Sequence, residues 1–143
     1  ADAVVAERFG YSGTFTPTLI GTGGTAAHTY DIQAGSYVRI GKCVDFTIRV
    51  RISAKDGGMT GPVSVGGLPF TSAASVMNFG SVLIAYRTGV TLTATYTQLA
   101  GYITSADTKI QLLEQGSNVQ QGVPPANIGA VTDLLFSGSY YVD

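Results

Sequence analysis

From Val44 to Ile52 apolar and polar residues alternate without a break. Val44, Phe46, Ile48, Val50 and Ile52 fall on one face, while Cys43, Asp45, Thr47, Arg49, Arg51 and Ser53 fall on the other. A strand points successive side chains to opposite faces, so this pattern predicts a strand with one side in a core. A helix of about 3.6 residues per turn would spread the same apolar residues around its axis. Just upstream, Tyr37, Arg39 and Gly41 alternate with Val38, Ile40 and Lys42. Glycine lacks a Cβ, so the Ile40-Gly41-Lys42 step predicts either a hairpin or a bend in one long strand. The stretch from 34 to 54 is the element around which the chain is organised.

The rest reads as short strands between glycine-rich turns. Residues 11–20 alternate small polar with apolar side chains. Pro17 has no N–H for a ladder, which puts this strand at a sheet edge or starts it after the proline. Gly21-Thr22-Gly23-Gly24 is a turn, and residues 26–33, with His28 and Tyr30, form a second strand. Further strands are predicted over 63–65, 81–88, 99–104, 108–114 and 134–142, and the alternating threonines of 91–97 extend the pattern. Leu68 and Phe70 are placed to plug one end of the core, and 71–80 and 115–127 read as loops. The result is about eight to ten strands at regular spacing, which predicts an all-β fold. The expected architecture is an antiparallel two-sheet β-sandwich, jelly-roll-like. It forms a single domain over residues 11–143, preceded by an N-terminal connector or lead-in over residues 1–10. Because the chain starts at Ala1, it reads as a processed product or an excised piece of something longer.

Composition narrows the class. The chain has 143 residues, enough for one domain with a substantial core. Its 19 glycines are about twice the usual share, in keeping with many tight turns. Only 12% of residues are charged, against about a quarter in an ordinary domain. Two explanations stand: a surface made polar by Ser, Thr and Gly, or an oligomer that buries part of its surface. A net charge of −1 speaks against nucleic acid as partner, because phosphate binding needs clustered Lys and Arg. No run of about 18 apolar residues is present, so no transmembrane helix or membrane insertion is expected, and no signal peptide is visible. The single cysteine, Cys43, cannot form an internal disulfide and reads as a small half-buried residue.

Catalytic chemistry finds few footholds. The one histidine, His28, has no nucleophile elbow near it and reads as a strand histidine at a surface or edge. Zinc needs more His or Cys than the chain holds, and no Asp-x-Asp cluster suggests calcium; no metal or cofactor is expected. Glycoside hydrolysis needs two facing carboxyl groups, for which Asp31 with Asp45 is a candidate pair. Binding is the better reading. Arg49 and Arg51 share the polar face of the central strand, as a solvated outer face, as an ion pair with Asp45, or as a patch for an acidic or hydroxyl-rich ligand. Asn78, Tyr86, Arg87, Tyr96 and Tyr102 complete a candidate sugar surface, since rings stack on sugar C–H faces while Arg and Asn supply hydrogen bonds. Against this, tyrosines in such folds commonly pack in cores or subunit contacts.

Several spaced segments resemble a known family. They are Gly13-Thr14-Phe15-Thr16-Pro17-Thr18-Leu19; then Tyr30, Gln33, Gly35, Tyr37-Val38-Arg39-Ile40-Gly41 and Val44; then Val65-Gly66-Gly67-Leu68-Pro69-Phe70 and Tyr96-Thr97-Gln98-Leu99. In this order they resemble the C-terminal domain of bacteriophage tail fibre and tailspike proteins over residues 11–143. One departure is Phe15, where that family commonly has Trp. The resemblance implies a β-sandwich that forms a parallel homotrimer at the tip of a fibre or spike, on the virion and outside the bacterial cell. It implies recognition of bacterial surface polysaccharide, or a role in trimerisation and chain registration. It also implies that any depolymerase lies in a separate upstream domain, so this chain reads as a non-enzymatic binding domain. A purely structural cap and a small glycan hydrolase or lyase are the rival readings.

Overall fold

The computed structural model describes residues 10–24, 27–75 and 80–143. Ten strands make up nearly all of its regular structure: β1 (Tyr11–Phe15), β2 (Thr18–Gly21), β3 (Thr29–Ile40), β4 (Cys43–Ala54), β5 (Val63–Gly66), β6 (Gly80–Val90), β7 (Tyr96–Ile103), β8 (Ile110–Gly116), β9 (Gln120–Gly122) and β10 (Ile128–Tyr141). One 3₁₀ turn, Pro125–Asn127, is the only helical element among the described residues. The fold is all-β and antiparallel, as the alternation predicts.

The strands bond side by side in the order β1-β3-β4-β10-β6-β7-β8-β5-β2, with β9 added to β8. The two ends of this series, β1 and β2, are consecutive in the chain and separated only by Thr16 and Pro17. Such a link spans at most about 11 Å. The sheet must therefore curl until its edges meet, with Pro17 at the corner. Both strands flanking the proline lie at edges, where its missing N–H leaves no gap in a ladder. Two separate sheets were the expectation; instead one ladder runs throughout, because β6 and β7 still pair at Gly80–Val82 against Gly101–Ile103. Beyond that short pairing the two strands part.

β3 and β4 form the central hairpin, closed by Gly41 and Lys42 between the paired Ile40 and Cys43. Gly41 has φ +59°, the left-handed value that the first central residue of a type II′ turn requires. The apolar face of β4 is buried throughout and meets β10, with Ile48 opposite Phe136 and Val44 opposite Tyr140. Val63, Val65, Ile103, Ile110 and Leu112 complete the core from the other half of the sheet.

Boundaries differ from the alternation pattern in four places. β3 begins at Thr29 and runs unbroken through Gly35, and β10 starts six residues before Leu134, at Ile128. The threonine-rich stretch 91–95 is not a strand. Its Thr93 N–H donates to the Glu114 carboxylate and Tyr96 N–H closes a turn on Thr93 O, so its backbone is already committed elsewhere. The loop 115–127 contains β9 and the 3₁₀ turn. The lead-in over 1–9 lies outside the described residues.

Several residues that carry the family resemblance interlock at the closing edge. Phe15 covers Gly35 and Tyr37 covers Gly13 across the β1–β3 ladder, leaving no room for a Cβ at either glycine. Leu19 N–H donates to Tyr30 Oη, tying β2 to β3. Phe70 packs edge-on against Tyr37 at 5.2 Å, and the Arg39 guanidinium lies 4.8 Å from the Phe70 ring centre. Tyr140 Oη donates to Phe70 O and accepts from Phe70 N–H. Gly35→Ala is expected to cost about 1–3 kcal/mol, because its methyl meets the Phe15 ring at about 2.6 Å. Combining it with Phe15→Ala should recover part of that loss in urea denaturation, and strictly additive effects would refute the interlock.

Candidate functional site

The outer face of the sheet is read from its register. On β4 the residues pointing away from the core are Cys43, Asp45, Thr47, Arg49 and Arg51. Directly opposite residues in a ladder share a face. Thr47 therefore lies beside Ser36 on β3 and Ser137 on β10. Asp45 lies beside Val38 and Ser139. β1 extends these rows with Ser12 opposite Val38 and Thr14 opposite Ser36. On the far side β6 adds Ser81 and Leu83, and Tyr102 of β7 pairs with Ser81.

These rows form a shallow trough of about 650 Å³ across β1, β3, β4 and β10. Six hydroxyls line it, from Ser12, Thr14, Ser36, Thr47, Ser137 and Ser139, with Asp45 as its one charged group. Most of these side chains are short, and the trough stays open.

The two arginines sit one and two rows beyond. Arg49 makes a forked contact with Asp133, with Nη2 2.9 Å from Oδ2 and Nε 3.3 Å from Oδ1. Asp133 is nearly buried, and this bond holds the Arg49 pKa above its ordinary value. Arg51 Nε lies 3.5 Å from Asp31 Oδ2, an ion pair without hydrogen-bond geometry. The expected partner, Asp45, is in neither pair, because β4 sets it four and six residues away along the strand.

Tyr86 points outward from β6, opposite Leu135, which in turn lies opposite Arg49. Arg49, Arg51 and Tyr86 thus share one face. Tyr86 and Arg87 also line a second cleft, of about 340 Å³, where β6 and β7 part; Thr97, Gln98 and Leu99 form its other wall. Arg87 donates from Nη1 to Val90 O. Tyr96 is half-buried opposite Gly116, away from this group. Tyr102 continues the row of Asp45, Ser139 and Ser81. Asn78 lies outside the described residues. The hydroxyl rows were not singled out from the sequence. Their only signal is the alternation of Thr and Ser within single strands, and pairing alone brings them together.

One buried polar group, His28, serves the fold. His28 is buried in the segment before β3, not exposed on a strand. Its Nδ1 accepts the Asp56 N–H at 2.9 Å, and it packs edge-on against Tyr30. Burial lowers its pKa, with the Asp56 charge opposing. Among the described residues no serine hydroxyl bonds to Nε2, so they form no Ser–His pair. Asp31 and Asp45 do not face each other. Asp45 stands opposite Val38, seven residues along β3 from Asp31, or about 23 Å.

The fold and this face define an all-β domain whose curled sheet presents a broad, hydroxyl-rich outer surface. No protein-family model and no curated protein matches the chain. Among solved structures it is similar to the crystal structure of the Dettilon tailspike protein, over 98% of its length, with a TM-score of 0.77 and 17% sequence identity. The chain covers 26% of that polypeptide, so the likeness is to one part of a longer protein. At this identity the likeness is one of fold.

Proposed function

We propose that the chain is a receptor-binding domain of a phage tail fibre or tailspike, which holds bacterial surface polysaccharide as a homotrimer on the outside of the virion. The observation that carries this reading is the hydroxyl-lined outer face on a fold shared with a protein named as a tailspike. Hydroxyl side chains donate and accept at once, as the hydroxyls of a sugar do, and so suit a ligand of that chemistry. Three linked sites convert weak single-site binding into firm attachment. Any depolymerase chemistry is assigned to another part of the longer polypeptide.

A structural trimerisation cap is the second reading, favoured by β6. Leu83 on this strand is 71% exposed and Tyr86 is 49% exposed, in a chain with few charges to solvate its surface. Aromatic and large apolar side chains of this kind are enriched in subunit contacts. Both readings predict a solution mass near three chains by light scattering. A stable monomer would overturn the trimer in either form. Polysaccharide binding by the trimer, measured on host-cell surface glycans, separates the first reading from the second.

A further inference from the structure

We propose that the trough across β1, β3, β4 and β10 is a site for a neutral polysaccharide, anchored by Asp45. This inference rests on the polysaccharide-binding reading and names the site and the class of glycan. Four adjacent strands at about 4.8 Å spacing give the trough a width of about 14 Å. Its volume of about 650 Å³ falls within the range of sites that hold small ligands.

The chemistry of the lining selects the ligand. Thr47, with Ser36 and Ser137 beside it, makes a lateral row of hydroxyls that can bond successive sugar hydroxyls. Val38, 47% exposed on the same floor, offers an apolar contact for a sugar C–H face. Asp45 is exposed, and among the described residues no cation pairs with it and no donor satisfies it. A carboxylate accepts two hydrogen bonds side by side, the geometry that two neighbouring sugar hydroxyls present. The arginines that would draw an acidic sugar are turned to other work. Arg49 is held by Asp133, and Arg51 lies 3.5 Å from Asp31, both outside the trough. A uronate placed here meets Asp45 as a like charge, which excludes acidic glycans by repulsion. The occupant is also unlike a protein partner. Interface cores are depleted in Ser and Asp, whereas this floor is built from them.

The test uses the whole chain against an immobilised panel of neutral and uronate-bearing oligosaccharides. The expected result is binding to neutral members only. Asp45→Ala should lower that affinity about tenfold or more, since a hydrogen bond to a charged group is worth about 1.5–3 kcal/mol, and Ser137→Leu should abolish it by filling the floor. Val119→Ala, beside β9 and remote from the trough, should bind as the parent does. Asp45 and Thr47 are exposed, so Asp45→Ala and Thr47→Ala keep the test alive if Ser137→Leu fails to fold. Unchanged neutral-glycan binding in Asp45→Ala and Thr47→Ala, or preference for uronates, overturns the trough while leaving the receptor reading intact. Conversion of the trimer to monomers by Ser137→Leu would make the trough a subunit interface and overturn it as well. No glycan bound by the parent chain at all overturns the receptor reading, and the trough with it.

Discussion

Glu114→Ala is expected to lose about 3–5 kcal/mol of stability, read from the urea midpoint at neutral pH. Glu114 is fully buried on β8. Its carboxylate accepts Thr93 N–H at 2.9 Å, Asn127 Nδ2 at 3.1 Å and Gln121 Nε2 at 2.6 Å. These three donors come from the 91–95 segment, the 3₁₀ turn and β9, so one side chain gathers three irregular pieces of chain. Its removal leaves them facing a cavity, and each buried donor without a partner costs about 1–3 kcal/mol. Among the described residues no cation neutralises it, and the hydrogen bonds alone stabilise its charge.

The same bonds set a pH dependence. Burial opposes ionisation of Glu114, but the bonds from Thr93, Gln121 and Asn127 outweigh it and hold its pKa below the ordinary 4.5. The unfolded chain then binds more protons than the folded one as the medium becomes acid. The contribution of Glu114 is complete above pH 4.5 and is lost as pH falls through the lower folded value. Glu114→Gln removes this dependence, so its stability should vary less than the parent's below pH 4.5. Parent and variant losing stability in parallel through that range would show that other groups govern acid unfolding.

Tyr140→Phe is the second large effect, because it removes an alkaline loss of stability of about 3 kcal/mol that Tyr140 gives the parent. Tyr140 is 1% exposed and holds both the N–H and the carbonyl of Phe70. Desolvation pushes its pKa up to about 12, although the Phe70 bond works in the other direction. Above pH 10 the unfolded tyrosine loses its proton while the folded one keeps it. Stability is therefore complete below pH 10 and falls by about 3 kcal/mol as pH rises to about 12. In Tyr140→Phe the neutral-pH stability should drop by about 1–3 kcal/mol and the share of the alkaline decline due to Tyr140 should disappear, leaving that of Tyr30, whose pKa burial also raises. Urea midpoints at pH 9 and 11.5 decide the matter; an equally steep decline in both proteins would remove Tyr140 as its source.

Much of the candidate face was visible along the chain. Thr47, Asp45, Arg49 and Arg51 share one side of β4 because a strand has a period of two, and no partner is needed to know it. The partners themselves were not visible. Asp45 is nearer to Arg49 in sequence than Asp133 is, yet Asp133 takes the arginine because β10 pairs with β4 in a register that brings it close. His28 shows the same limit. Its neighbours in sequence suggest an exposed strand, whereas its burial follows from Asp56, 28 residues away, and from Tyr30.

By itself the sequence determined the class of fold and the strands of the central stretch. Alternation names strands, Gly41 marks a hairpin or a bend, and Pro17 marks an edge or a strand start. All of these are local, since they depend on covalent geometry and on residues a few positions apart. Only the tertiary structure decided that the strands join in one curled sheet, that the segment 91–95 bends to meet Glu114, and that hydroxyls from four strands lie side by side. Those features depend on which strand pairs with which and in what register. A shift of one residue would turn each row to the opposite face, and it is the burial of Ile48 against Phe136 and of Val44 against Tyr140 that holds the register in place.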